Sequence, residues 1–184
     1  MTVTDDDLGS SSDTLTVTVS DMVLELEEGW NLISVPKTLV DDSLFGTEVW
    51  IYDVQGIGWD TPTEINPGIG YWIESGGKEV PINYKECWLP EGCLPSEIRT
   101  FYTGWNLIGH MSMEASIQDV YESIGYVFKD NEDVNQAFLL RYNDVGVFEI
   151  NNLKTEDQGS YLFKNMIPGE GYWLYTSEEI TYTN

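Results

Sequence analysis

Gly29-Trp30-Asn31-Leu32-Ile33-Ser34-Val35-Pro36 decides how this chain is read, because its first five residues return unchanged as Gly104-Trp105-Asn106-Leu107-Ile108, followed by Gly109. A second phrase answers each copy downstream: Pro67-Gly68-Ile69-Gly70-Tyr71-Trp72-Ile73 in the first, Pro168-Gly169-Glu170-Gly171-Tyr172-Trp173-Leu174 in the second. Two phrases duplicated in the same order make an internal tandem repeat, and that self-similarity governs the rest of the reading. Between the phrases lies a weaker shared element, Val49-Trp50-Ile51-Tyr52-Asp53 and Leu139-Leu140-Arg141-Tyr142-Asn143.

Local patterns make the repeat a β unit. Val23-Leu24-Glu25-Leu26-Glu27 alternates apolar and polar in the β manner. A turn at Glu28-Gly29 then leads into a strand from Trp30 to Val35, which Pro36 closes because it cannot donate to a ladder. One helical turn is expected within Thr38 to Phe45, an aromatic strand over Val49 to Asp53, and a hairpin turn at Gly56-Ile57-Gly58 into Trp59. Pro67-Gly68 favours a type II turn. Strands from Tyr71 to Glu74 and Val80 to Tyr84 complete the unit.

The second repeat is longer: Gly104 to Pro168 spans 64 positions, against 38 from Gly29 to Pro67. Part of the surplus has helical periodicity, with Ile117, Val120, Tyr121 and Ile124 on one apolar face, Ser116 as the cap and Gly125 as the stop. Ahead of both repeats, residues 2–20 alternate Thr and Val around an acidic, Gly/Ser-rich centre, a hairpin pattern. The chain therefore reads as mainly β: a hairpin over 1–20, one small antiparallel sandwich- or barrel-like repeat over 21–86, a Cys/Pro linker over 87–95, and a second repeat with an inserted short helix over 96–184. Units of about 65 residues lie near the lower limit for folding alone, so the two are expected to pack together.

The GWNLIS-x-P strand, the V-W-x-Y-D strand and the P-G-x-G-Y-W turn together resemble a repeat module of archaeal and bacterial cell-surface and secreted proteins. Residues 2–20 resemble the last two strands of a PKD-like, immunoglobulin-type domain. The resemblance implies a non-catalytic part of a large exported protein, and so an extracellular or cell-surface location. Gly29, Trp30, Asn31, Gly70, Tyr71 and Trp72, with Gly104, Trp105, Asn106, Gly171, Tyr172 and Trp173, are then repeat scaffold, and the duplicated Trp residues are expected in the core. Asp5-Asp6-Asp7 stands where a signal peptide would be basic and apolar, so export requires a longer parent chain. The resemblance to exported proteins also implies a disulfide between Cys87 and Cys93, the alternative being two free thiols.

Composition narrows the partners. With 8 basic and 32 acidic residues the net charge is −24, which repels nucleic-acid phosphates and anionic membrane surfaces. No window approaches the roughly 18 apolar residues needed to insert directly into a membrane. Seven Trp and 11 Tyr give enough large side chains for a core and exclude a disordered acidic tail.

Functional constellations are sparse. His110, the single histidine, occupies the position Val35 fills in the first repeat, and no nucleophile motif surrounds it; its reading is structural, and no catalytic residue is assigned. Asp5, Asp6, Asp7, Asp130, Glu132 and Asp133 offer hard oxygen donors for Ca²⁺ without any defined ligand spacing, the alternative being solvated acidic loops. Trp88, which has no counterpart in the other repeat, is the candidate ligand-binding aromatic. The expected function is a structural or adhesive module of a surface layer, sheath, filament or adhesin, with other surface subunits or surface glycans as partners. A glycan-binding module appended to a secreted enzyme and a Ca²⁺-stabilised adhesion domain are the alternatives.

Overall fold

The computed structural model describes residues 2–4, 10–12, 20–46, 48–55, 58–86, 98–110, 117–155 and 160–183. The fold is mainly β and sandwich-like, and among the described residues no sheet closes into a barrel. At the N-terminus β1 (Thr2–Thr4) pairs antiparallel with β2 (Ser10–Ser12). The hairpin is present, but its second strand is the serine run ahead of the Thr/Val stretch.

In the first repeat β3 (Met22–Ser34) and β6 (Gly70–Ile82) run antiparallel along their whole length, from Met22 opposite Ile82 to Ser34 opposite Gly70. β4 (Val49–Asp53) lies against β6, and β5 (Gly58–Asp60) against β4, giving the order β3-β6-β4-β5. A 3₁₀ turn at Asp42–Phe45 falls inside the expected helical stretch, begun by Asp41, whose carboxylate accepts the Ser43 N–H at 2.9 Å.

The second repeat copies this plan. β8 (Gly104–Ile108), β13 (Tyr172–Thr176), β10 (Ala137–Tyr142) and β11 (Phe148–Asn152) form a sheet in the matching order β8-β13-β10-β11. β7 (Ile98–Phe101) and β14 (Ile180–Thr183) form a second pair where the first repeat has the far halves of β3 and β6. Between β8 and β10 the insertion makes β9 (Gln118–Asp119), which pairs with β12 (Asn165–Met166), and a π-helical turn, Tyr121–Gly125, that runs into α1 (Tyr126–Lys129).

The expected turn at Glu28-Gly29 is instead a bend inside one 13-residue strand. Gly29 sits at φ +99° and Gly104 at +102°, a region other residues rarely enter. The next-but-one asparagine pins each bend. Asn31 accepts the Glu27 N–H and donates to the Glu27 and Gly29 carbonyls, and Asn106 does the same for Tyr102 and Gly104. Gly-x-Asn is thus a local device that satisfies backbone groups a bent ladder leaves open.

Each sheet has two occupied faces. One covers a separate core: Ile33, Val49, Tyr71 and Ile73 in the first repeat, Ile108, Leu139, Tyr172 and Leu174 in the second. Of the expected apolar face, Val120 and Ile124 are buried in the second core and Tyr121 is partly buried against it, whereas Ile117 is 63% exposed; Phe128, one turn further on, joins the core. No helix among the described residues is long and apolar enough to cross a membrane.

Candidate binding face

The two halves meet through the duplicated phrases, and the contacts are exchanged in pairs. Ile33 bridges Glu170 as Ile108 bridges Ile69. The Ser34 N–H donates to the Gly169 carbonyl as the Gly109 N–H donates to that of Gly68. Under exchange of the repeats Ile33 maps onto Ile108, Ser34 onto Gly109, and Gly68-Ile69 onto Gly169-Glu170, so these are one contact made twice about a pseudo-twofold axis.

The axis explains the P-G-x-G-Y-W phrase residue by residue. The second glycine is where the chains cross: a Cβ on Gly70 would lie 2.8 Å from the Ile108 carbonyl oxygen, and one on Gly171 2.6 Å from that of Ile33. The tyrosine is fully buried, and its hydroxyl accepts the N–H of the residue before the proline, Asn66 at 2.7 Å from Tyr71 and Ile167 at 2.8 Å from Tyr172. Burial pushes Tyr71 up to about 12, and Tyr172 well above the ordinary phenol range. Over each Pro-Gly turn lies a side chain of the other repeat, Leu24 on Gly169 and Arg99 on Gly68. The Arg99 guanidinium donates to the Pro67 and Gly68 carbonyls, and its burial lowers its pKa.

The tryptophan of the phrase points away from the cores, a correction to the expectation of core packing. Trp72 packs edge-on against Tyr142 and Phe148 of the other repeat, at 5.1 and 6.5 Å between ring centroids. Trp173 does the same against Tyr52 and Trp59, at 5.4 and 5.9 Å. The GWN tryptophans extend both clusters, Trp30 on Trp72 at 6.4 Å and Trp105 on Trp173 at 6.0 Å. These outer rings stay wet: Trp30 is 46%, Trp59 52% and Trp105 39% exposed.

Together they wall a cleft of about 560 Å³ lined by Trp30, Trp50, Trp59, Trp72, Tyr142, Phe148 and Trp173. A smaller hollow of about 290 Å³ continues it past Tyr52, Trp105 and Leu140. This face is what the sequence reading missed. The signal was available: Trp50 and Tyr52, like Trp72, occupy alternate positions opposite Val49, Ile51 and Ile73, so the strands are bulky on both sides and their sheets must be covered or used on both.

Other sequence candidates are less concentrated. Cys87, Trp88, Cys93, Asp5, Asp6, Asp7 and Ser116 lie outside the described residues. Asp130, Glu132 and Asp133 are exposed on the loop after α1, where Lys154 Nζ donates to the Phe128, Lys129 and Asn131 carbonyls at 2.9, 3.3 and 2.8 Å. Among the described residues no three His, Cys, Asp or Glu side chains converge. His110 is fully buried at the join, its N–H donating to Ser34 Oγ at 3.2 Å.

Fold and face define an internally duplicated, mainly β module that presents an aromatic cleft at its pseudo-twofold axis. No family model matches the sequence, no curated protein matches it, and no solved structure matches its fold.

Proposed function

We propose that the chain is a non-catalytic adhesive module of a larger extracellular or cell-envelope protein, with the aromatic cleft as its contact surface. The observation that carries this reading is the gathering of exposed rings from both repeats onto one face. Exposed Trp, Tyr and Phe offer large contact area at small entropic cost, and an open patch of this kind marks an interaction site. The resemblance to surface-protein modules supplies the location. Glycan binding for a secreted enzyme is the second reading, supported by Glu74, an exposed acceptor directly across from Trp30 on the same face.

The test is a tryptophan-fluorescence titration of the chain against cell-wall and plant polysaccharides and small organic cations, repeated with Trp59→Ala. A saturable shift by one class, lost in the variant, is the expected result. A flat response across all classes would reduce the module to a spacer.

A further inference from the structure

We infer that the aromatic cleft takes a trimethylammonium monocation of the choline type; this rests on the cleft being the contact surface and names what it holds. The first argument is geometric. Trp72 stands at 77° to Trp30, 67° to Tyr142 and 77° to Phe148, and Trp173 at 88° to Trp59. Rings at such angles are walls. A flat polysaccharide ribbon needs coplanar rings as a floor, whereas steep walls enclose a rounded group.

The second argument is chemical. The lining is aromatic throughout. Beyond the indole N–H groups and the Tyr142 hydroxyl, the described lining offers a sugar's hydroxyls no hydrogen-bond partners. A trimethylammonium head has no N–H or O–H to satisfy, and it is attracted to the negative faces of indole and phenol rings. The third argument is charge. Among the described residues no Lys or Arg lines the cleft, Glu74 is exposed on the same face across from Trp30, and the chain carries a net charge of −24. Such a field concentrates monocations and discriminates against anions.

The experiment uses the whole chain. Its tryptophan fluorescence is followed against choline chloride, against NaCl at matched ionic strength, and against 3,3-dimethylbutan-1-ol, the neutral isostere of choline. Choline is expected to bind saturably and the isostere at least about tenfold more weakly, the loss of one or two cation–π contacts. Trp59→Ala and Trp30→Ala, both at exposed rings and checked for native circular dichroism, should each weaken choline binding, and Trp59→Phe should retain most of it.

Equal binding of the isostere overturns the inference, because the cleft would then be reading only shape. So does a choline response that NaCl reproduces or that survives both alanine substitutions. Capture of phosphatidylcholine vesicles without any response to free choline overturns it in favour of a membrane surface. Saturable binding of cello- or chito-oligosaccharides with no choline response sinks the cation but leaves the adhesive module standing, whereas silence from every probe sinks both.

Discussion

At the scale of single residues, Glu170 shows how the two repeats differ in what they tolerate at one position. It fills the place that Ile69 holds in the first repeat, half-buried at the bridge to Ile33. Burial raises its carboxyl above the ordinary range, against the opposing pull of the Tyr172 hydroxyl, which donates to it at 2.9 Å, and of the Arg141 charge; the nearby Glu149 adds to the rise. A raised carboxyl pKa in the fold means that the native state binds the proton more tightly than the unfolded chain. Ionising Glu170 therefore costs stability, a cost absent below the unfolded pKa of about 4.3 and complete once pH has passed the folded value. Glu170→Gln keeps an acceptor for Tyr172 and removes the charge. Urea denaturation at neutral pH should find the variant more stable than the parent, and the gap should close as pH falls from the raised folded value to the ordinary carboxylate value. A variant less stable at neutral pH would mean that the Arg141 attraction outweighs burial.

At the scale of elements, the inserted helix marks where the sequence was legible and where it was not. Its apolar face was readable from spacing, and Val120 and Ile124 are indeed fully buried. Its ends were not. Asp119 does the capping, its carboxylate accepting the Tyr121 N–H at 2.8 Å and the Glu122 N–H at 3.3 Å. Gly125 does not stop the helix: it is helical at φ −62°, and its missing Cβ leaves room for Tyr121 and Tyr161, whose atoms would lie 3.2 and 3.3 Å away. Glycine signals a stop through positive φ, but tertiary crowding selects it just as well, and one chain gives no means of telling the two apart. Gly29 is a different case: its φ is positive, +99°, as a turn glycine's would be, but it serves a bend inside one strand. The four duplicated tryptophans carry a related ambiguity: repetition reports a constraint but not which side of the sheet imposes it. Asp119→Ala should lower stability by about 1 kcal/mol, the usual worth of an N-cap. Thermal denaturation would register this, and an unchanged midpoint would show that β9 and β12 hold the helix start without the cap.

At the scale of the molecule, the two copies are matched and also made unequal where they touch. GWNLIS and GWNLIG differ at their sixth residue, and the pseudo-twofold brings those two residues together. A Cβ on Gly109 would lie 2.5 Å from Ser34 Cβ and 2.9 Å from the Gly68 carbonyl carbon. Only one side of the axis has room for a side chain. The one present is used, since Ser34 Oγ donates to the Glu170 carbonyl at 2.6 Å and accepts the His110 N–H at 3.2 Å. Two identical repeats could not close in this way, which makes the duplication an asymmetric pair fitted to itself. Gly109→Ser, which makes the copies alike, should destabilise the fold by about 1–3 kcal/mol, the usual range for overpacking. Ser34→Gly should also destabilise, by roughly 1 kcal/mol for the hydrogen bonds it removes. If the crowding is mutual, the two changes couple, and Ser34→Gly with Gly109→Ser together should be more stable than Gly109→Ser alone. A double-mutant cycle in denaturant measures that coupling directly. Simple additivity would place the clash of Gly109→Ser with the Gly68 backbone instead, and the Ser–Gly difference would then be incidental to the fit between the repeats.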